Sequence, residues 1–315
     1  MNLKDIHVRL HDMSLHDLMY VRPGQVRLDE LTALACALDA AGMPLIEMGA
    51  GIASGPDSWW RGQASLELEA CLRAVLPRLE QAKVALQITP GAAAAEQLQM
   101  ARDWGVATVC LAAHWQDVEL IAPFLGLARR LGLDAVGVLM MAHESELTLL
   151  LRQARFMEAE GANCITLADT SGQMCGADVR SRTEALRAAL NPATELGFHG
   201  HHNSKAAAIS NSLAAIEGGA RRIEASLTVP GLGHTPIDAL CATYTRLGIV
   251  TGVDAYQLAD IGESLVQPLL NAFSSGDQAP ANTSPLPRLA PPLVERRGTG
   301  GSPPAVDEDR VAVKV

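Results

Sequence analysis

The chain has 315 residues, of which 48% are hydrophobic and only 3% are aromatic, and its formal net charge is −10. This acidic balance, with no run rich in lysine or arginine, argues against nucleic acid or an anionic membrane as a partner. No apolar run approaches the roughly 18 residues of a membrane-spanning helix and the N-terminus lacks a signal-peptide core, so a cytoplasmic protein is expected.

Apolar strand-like segments and helix-like segments alternate along the chain. In order, the sequence predicts strand 6–12, helix 28–42, strand 44–49, helix 65–82, strand 83–89, helix 93–105, strand 106–114, helix 117–132, strand 134–143, helix 144–161, strand 163–172, helix 176–190, strand 195–202, helix 204–219, strand 221–227 and helix 236–248. The strands are continuous apolar runs, as in a parallel sheet buried on both faces. Several helices end at glycine, which is typical of a left-handed C-terminal cap.

Eight strand–helix units favour an α/β protein with a (β/α)8 TIM barrel. The alternative, a doubly wound open sheet, lacks the expected GxGxxG turn after its first strand. The composition changes near residue 272 to a segment rich in proline, glycine and serine without sustained periodicity. The sequence therefore predicts a barrel domain over residues 1–272 and a disordered tail over residues 273–315.

The histidines follow the ends of the predicted strands. Of the nine histidines, all but His7 fall at or just after a strand end: His11, His16, His114, His143, His199, His201, His202 and His234. Glu47 and Asp169 stand at two further strand ends. Because the chemistry of such barrels is placed at the carboxyl ends of the strands, this distribution predicts a polar active-site rim.

The motif HGHHN, residues 199–203, is the most specific element of this rim. Residues two apart in a strand point to the same face, so His199 and His201 are expected to point the same way. Two imidazoles and a carboxylate from elsewhere form a common site for a divalent cation with positions left for substrate. The alternative is an incidental pair of polar residues near a loop.

A second motif, LADTSG, supplies Asp169, Thr170 and Ser171 at the end of the sixth predicted strand. Its hydroxyl groups could bind a substrate carboxylate, or they could cap the following helix. The loop that contains Trp59 and Trp60 could be a lid or an interface, and the sequence does not distinguish these roles.

Together these motifs resemble the 4-hydroxy-2-oxovalerate aldolases, class II pyruvate aldolases of the DRE-TIM metallolyase superfamily. The resemblance covers about residues 1 to 270 and rests on HDMSLHD, LDAAGMPLIE, VGVLMMAH, GANCITLADTSG, TELGFHGHHN and NSLAAIEGGARRIEAS. It implies a carbon–carbon lyase that acts on a 4-hydroxy-2-oxo acid through a metal-bound pyruvate-type enolate. The small 2-oxo acid is then the expected ligand.

The resemblance also implies the residues of the site. It assigns the metal to Asp17, His199 and His201, with Mn²⁺ as the first choice and Mg²⁺ or Co²⁺ as alternatives. Thr170 stands where the family has a serine that contacts substrate, and Ser171 and His143 are expected to join it in substrate binding. The catalytic positions of the family fall on His16 and Tyr20.

Both catalytic positions differ from the family pattern HDMTLRDGMH. An arginine that stabilises the enolate is replaced by His16, so a permanently charged guanidinium becomes an imidazole whose charge depends on pH. A histidine that acts as acid and base is replaced by Tyr20, and a phenol is a poor general base at neutral pH. A family asparagine is replaced by His234.

The C-terminal helical region of the family has no counterpart in the sequence. In the family that region contacts an acylating aldehyde dehydrogenase, so stable channelling to such a partner is not expected here. The sequence does not decide whether the chain forms a homo-oligomer.

Three functions are compatible with these residues. The first is an aldolase in which His16 assists the enolate and Tyr20 donates or relays a proton, with His114 or His143 as a further aid. The second is a Claisen-type acyl transferase or synthase that uses the same metal and another electrophile. The third is a catalytically impaired metal-binding paralogue, suggested by the double change at positions 16 and 20.

Overall fold

The structure is a computed structural model that describes residues 3–21, 26–49, 63–88, 94–201, 207–227 and 233–274. The side chains of residues 20, 21, 63–67 and 272–274 are outside the described part. The predicted tail, from residue 275 onward, and the loop with Trp59 and Trp60 also lie outside the described residues. The division at residue 272 therefore stays a prediction.

Eight parallel strands form a closed barrel in sequence order, and the first strand pairs with the last. The strands are β1 Arg9–Asp12, β2 Leu45–Met48, β3 Lys83–Ile88, β4 Thr108–His114, β5 Asp134–Met140, β6 Cys164–Asp169, β7 Glu195–Gly200 and β8 Arg222–Ala225. This closure confirms the predicted (β/α)8 TIM barrel and excludes the doubly wound sheet, which is open.

Helices surround the barrel and follow the strands. They are α1 Ser14–Val21, α2 Leu28–Ala40, α3 Gln63–Val75, α4 Ala94–Trp104, α5 Ala122–Arg130, α6 Leu147–Ala159, α7 Gly176–Ala189, α8 Ala208–Glu217, α9 Ile237–Leu247, α10 Ala255–Ile261 and α11 Gln267–Ser274, with a π-helical stretch at Gly262–Val266 before the last. None of the described helices is long and apolar enough to cross a membrane.

The short helix α1 was not predicted, because eight residues are too few to establish a helical period, although Leu15, Leu18 and Met19 have helical spacing. Its start is fixed by Asp12, whose carboxylate accepts hydrogen bonds from the Ser14 N–H at 2.9 Å and the Ser14 hydroxyl at 2.8 Å. The Ser14 hydroxyl oxygen also accepts from the Leu227 N–H at 2.8 Å. The Asp12 cap therefore ties α1 to the segment after β8, and it sets α1 across the mouth of the barrel.

A buried ionic layer lies at the opposite, amino-terminal end of the barrel. The fully buried Arg222 begins β8, and its guanidinium contacts Asp134 at the start of β5 at 2.9 Å and Glu195 at the start of β7 at 2.6 Å. Glu195 also pairs with Arg9 at the start of β1. Burial disfavours the charged guanidinium, but the neighbouring carboxylates outweigh it and raise the pKa of Arg222. One cation thus joins three strands.

Asp39 in α2 stabilises the turn before β3. Its buried carboxylate accepts hydrogen bonds from three successive backbone N–H groups, those of Glu80, Gln81 and Ala82, at 2.6, 3.0 and 2.6 Å. Burial works to raise its pKa, but these three donors outweigh burial, so the pKa of Asp39 is lowered. The carboxylate form is therefore bound more favourably in the folded chain than in the unfolded chain.

The Asp39→Asn variant should lower the free energy of unfolding at neutral pH by about 1.5–3 kcal/mol, because a charged acceptor is lost. This difference in the free energy of unfolding should have its full size above about pH 4, the pKa of aspartate in the unfolded chain. It should disappear as the pH falls through the lowered pKa of Asp39 in the folded chain. Urea unfolding across a pH series measures it. The matched control is Asp103→Asn, since Asp103 pairs with Arg102 on the exposed surface. An equal loss of stability at every pH would contradict the assignment.

Candidate metal and catalytic site

Three imidazoles meet at the carboxyl-terminal mouth of the barrel. The ring centres of His199, His201 and His234 are 4.7, 4.8 and 4.7 Å apart, which makes a nearly equilateral triangle. One nitrogen from each ring lies within 4.8 Å of the others. Imidazole nitrogens gathered in this way are a typical donor set for a transition-metal ion.

The backbone holds these three rings in place. His199 lies in β7, and His201 follows it two residues later on the same face of the chain. His201 forms an antiparallel bridge with His234. The adjacent Thr235 donates both its N–H and its hydroxyl to the Gly200 carbonyl at 3.1 Å. His234 is therefore fixed to the end of β7, although it comes from the loop after β8.

Each of the three rings uses its Nδ1 atom for an outer contact. His199 Nδ1 donates to the Glu224 carboxylate at 2.8 Å, and His201 Nδ1 donates to the Asp169 carbonyl at 3.2 Å. His234 Nδ1 donates to Asp17 Oδ2 at 2.8 Å. With Nδ1 engaged, Nε2 is the nitrogen that each ring would offer to a cation. Metal-binding histidines usually have such a partner on the second nitrogen.

Burial and pairing shift the protonation of these groups. Burial opposes charge on both His199 and Glu224, but their mutual hydrogen bond outweighs it, raising the pKa of His199 and lowering that of Glu224 to about 2. Burial, together with the charges of His199 and His16, lowers the pKa of His234 well below its usual value. Pairing with Glu224 therefore favours the charged form of His199, whereas burial favours the neutral form of His234.

Asp17 of α1 reaches the cluster through His234. Burial raises the pKa of Asp17 to about 7, against the charge of His16. Its Oδ1 atom is buried and accepts no well-formed hydrogen bond among the described residues. The nearby Ser226 hydroxyl lowers the pKa of Asp17, but it donates to the Leu227 carbonyl at 2.9 Å. A buried carboxylate oxygen and three clustered imidazoles fit a divalent cation in this part of the barrel mouth.

A second polar group stands beside the first and connects β1, β2 and α1. Glu47 is buried in β2, and its two oxygens lie 3.2 Å from His11 Nε2 and 3.2 Å from His16 Nδ1. Burial works to raise the pKa of Glu47, but the close imidazoles of His11 and His16 outweigh it, so the pKa is lowered. Glu47 is therefore a buried carboxylate in close contact with both imidazoles.

Cys110 in β4 extends this group into the barrel interior. His11, Glu47 and Cys110 also offer three ligand atoms within 4.8 Å of one another. Burial and the Glu47 charge raise the pKa of the Cys110 thiol well above its usual value. A thiol kept protonated is a poor metal ligand, so the three-histidine cluster is the better candidate.

The predicted substrate-binding residues lie at the ends of β5 and β6. His143 Nε2 is 3.0 Å from the Ser171 hydroxyl. The Thr170 hydroxyl oxygen accepts a hydrogen bond from the Met141 N–H at 3.0 Å, which holds the turn after β5. His143 and Ser171 form one polar pair, and Thr170 has a structural contact as well. The backbone of Tyr20 lies in the last turn of α1, and its side chain is outside the described residues.

Sequence reasoning missed two features of this site. It assigned no role to Glu224, whose only local signal is a carboxylate inside the apolar strand β8, and it gave His234 no place among the metal ligands. His199 and Glu224 are register partners between β7 and β8. That register depends on the closed sheet and is not visible in either strand alone.

Comparisons with known proteins agree with this geometry. The HMGL-like family model matches residues 7–265. A 4-hydroxy-2-oxovalerate aldolase of Stutzerimonas stutzeri is 46% identical over 273 residues, which cover 86% of this chain and 79% of the relative. A 4-hydroxy-2-oxovalerate aldolase of Pseudomonas putida is 45% identical over 273 residues, with the same two shares.

Solved structures share the fold at low sequence identity. The HMG-CoA lyase from Brucella melitensis has a TM-score of 0.70 at 18% identity, over 84% of this chain and 99% of that chain. The carboxyl transferase domain from Rhizobium etli pyruvate carboxylase, solved with pyruvate and biocytin, has a TM-score of 0.71 at 15% identity, over 86% of this chain and 49% of that chain.

Proposed function

Because the chain belongs to the HMGL-like family and to the 4-hydroxy-2-oxovalerate aldolases, and is therefore a lyase of the aldolase type, we propose that it cleaves a 4-hydroxy-2-oxo acid to pyruvate and an aldehyde with the help of a divalent cation. The observation that carries the proposal is the cluster of three imidazoles beside the Glu47–His16 pair, at the end of the barrel where such enzymes place their chemistry.

The reaction breaks the bond between C3 and C4 of the substrate. The C4 hydroxyl loses its proton to a base, and the oxygen forms the aldehyde carbonyl. The electron pair of the broken bond moves to the 2-oxo group and gives the enolate of pyruvate. A proton then adds to C3, so pyruvate and the aldehyde leave with all atoms accounted for. The site must therefore stabilise an enolate oxygen and move one proton.

A divalent cation would be held by His199 and His201, with either Asp17 or His234 as the third donor. When bound, it would supply positive charge beside the oxygen on which the enolate charge develops, and it would orient the 2-oxo acid. The family resemblance points to Mn²⁺, Mg²⁺ or Co²⁺. Glu224 and the Asp169 carbonyl support the proposal, because they fix the orientation of His199 and His201.

His16 would stabilise the enolate in place of the family arginine. Glu47 lies 3.2 Å from His16 Nδ1, and this contact orients the ring and offsets positive charge on it. The charge of His16 lowers the pKa of both Asp17 and His234, so His16 lies within electrostatic range of the metal cluster. An imidazole held in this way can donate a hydrogen bond from its other nitrogen to an oxyanion.

The remaining polar residues would hold the substrate carboxylate and the proton. His143 and Ser171 form a polar pair at the end of β5 and β6, and Thr170 lies next to it. They would bind the carboxylate of the 2-oxo acid. Tyr20 would donate or relay the proton of the C4 hydroxyl.

Enolisation of pyruvate tests the proposal without knowledge of the aldehyde. With Mn²⁺ or Co²⁺ in D₂O, the protein should exchange the methyl protons of pyruvate for deuterium faster than the ion alone, as followed by proton NMR. The Glu47→Gln variant should slow the exchange, because His16 loses its charged partner. The His7→Asn variant should not slow it, since His7 is exposed and precedes β1, at the end of the barrel opposite the proposed site.

The alternative functions give different results in the same assay. Metal binding without any methyl exchange would contradict the aldolase proposal and favour a catalytically impaired metal-binding paralogue. Exchange together with acyl-CoA consumption and no cleavage of 4-hydroxy-2-oxo acids would favour the Claisen-type synthase instead.

A further inference from the structure

We propose that His234 is a direct metal ligand, so that the cation is bound by the three histidines His199, His201 and His234, while Asp17 positions His234 from outside the coordination sphere. This inference rests on the proposed divalent-cation site and changes its donor set. The family pattern, in contrast, assigns the third position to the carboxylate of Asp17 and has an asparagine at position 234.

The spacing of the three rings is the first support. Imidazoles that bind one tetrahedral ion at about 2.0–2.1 Å place their ring centres roughly 5 Å apart. The observed separations of 4.7–4.8 Å are close to that value on all three sides of the triangle. Among the described residues, the three atoms that come within 4.8 Å of one another here belong to histidines, and the hydrogen bond of Asp17 to this cluster is made to His234.

The outer contacts of the rings are the second support. All three rings direct Nδ1 to an oxygen outside the cluster: the Glu224 carboxylate, the Asp169 carbonyl and the Asp17 carboxylate. A ring that donates through Nδ1 and binds a metal through Nε2 has its two partners on opposite sides. When His234 binds through Nε2, the Asp17 oxygen that contacts Nδ1 at 2.8 Å lies on the side of the ring away from the ion. The same carboxylate–histidine arrangement repeats at Glu224 and His199.

The backbone around His234 is the third support. The bridge between His201 and His234 and the two hydrogen bonds from Thr235 to the Gly200 carbonyl hold the loop against β7. His234 therefore needs little rearrangement to act together with the histidines of β7. A rigid backbone of this kind keeps ligands at the short distances that metal coordination requires.

The donor set has a consequence for the choice of metal. Three neutral imidazoles suit Zn²⁺ or Co²⁺, whereas Mg²⁺ and Mn²⁺ prefer sites rich in carboxylate and water. We therefore expect the wild-type protein to discriminate more strongly between Zn²⁺ and Mn²⁺ than a two-histidine, one-carboxylate site does. Loss of the third imidazole should narrow this discrimination.

The test compares the full-length His234→Asn and Asp17→Asn variants with wild type. X-ray absorption at the zinc edge should count three imidazoles in wild type and in Asp17→Asn, but two in His234→Asn. In calorimetric titrations the Asp17→Asn variant should lose about 10–100-fold in Zn²⁺ affinity, as is typical of an outer partner. The His234→Asn variant should lose more than that, and its ratio of Zn²⁺ to Mn²⁺ affinity should fall at least tenfold.

Controls separate this inference from the proposed function. His114→Asn should leave the imidazole count and both affinities unchanged, and thermal melting of the metal-free variants checks folding. Two imidazoles in wild type, with the larger loss in Asp17→Asn, would overturn the role of His234 and leave the divalent-cation aldolase intact. Unchanged Zn²⁺ affinity in both His199→Ala and His201→Ala would overturn the metal site of the proposed function itself.

Discussion

The His199→Ala variant is expected to lose divalent-metal binding and aldol cleavage together. A cation supplies several kcal/mol of charge stabilisation at a developing oxyanion, and each 1.4 kcal/mol corresponds to about a tenfold change in rate. The fall in kcat/KM should therefore be on the order of 10³-fold or more. The loss of metal binding is measured by calorimetric titration, and the loss of activity by pyruvate release.

The same substitution also affects stability in the absence of metal. After removal of the His199 imidazole, Glu224 keeps the hydrogen bond from the Thr166 hydroxyl at 2.9 Å but loses the one from His199 at 2.8 Å. Breaking a buried pair by removing one partner typically costs about 3–5 kcal/mol, so the melting temperature of the metal-free variant should fall. The Glu224→Gln variant is a milder change at the same pair, because His199 is kept and glutamine has nearly the same volume as glutamate.

Glu224→Gln should weaken metal affinity by about 10–100-fold, since His199 loses its outer carboxylate but remains a ligand. This variant should still bind Zn²⁺ or Co²⁺ at raised concentration and recover part of its activity. Wild-type metal affinity in a folded His199→Ala variant would show that His199 is not a ligand. Such a result would require a different origin for the catalytic charge.

The second large effect concerns His16. The His16→Ala variant should lower the rate of pyruvate enolisation by about 10²–10³-fold, the usual loss when one donor to an oxyanion is removed. Metal affinity should change little, because His16 contacts Glu47 and is not part of the three-histidine cluster. The measured signature is therefore a fall in kcat with metal titrations near those of wild type.

Substitution of His16 by arginine shows whether His16 performs the role of the family arginine or whether the position has lost that role. If His16 with Glu47 has taken over the stabilisation of the enolate, His16→Arg should not exceed wild-type activity. If the position has decayed, the His16→Arg, Tyr20→His double variant should become active where wild type is not. An unchanged enolisation rate in His16→Ala would rule out His16 as the enolate donor.

The barrel itself could be predicted from the sequence because each strand is a continuous apolar run and each run is followed by a helical segment. The errors in the predicted strands fall at their ends, and the helices α1, α10 and α11 were not predicted. The fifth strand, predicted through residue 143, ends at Met140, since Met141 adopts a positive φ of 55° and Ala142–Glu144 form a 3-10 turn. The apolar content of the segment does not by itself predict that turn.

The site was only partly predictable for a physical reason. The expectation that the histidines share one rim follows from the chain order of strands and helices. The pairing of His199 with Glu224, of His16 with Glu47 and of His234 with Asp17 depends on contacts between elements that are far apart in sequence. Such contacts form only once the barrel has closed, so a local sequence pattern does not predict them.

The ionic layer around Arg222 has a consequence for engineering and for evolution. It joins the starts of β5, β7 and β8, at the end of the barrel opposite the three histidines. Residues outside the proposed site therefore cross-link the sheet at its other end. Substitutions at the mouth, such as those at positions 16 and 234, can then be sampled one after another without reopening the barrel. A new reaction can be selected on this scaffold as long as the ionic layer around Arg222 is left intact.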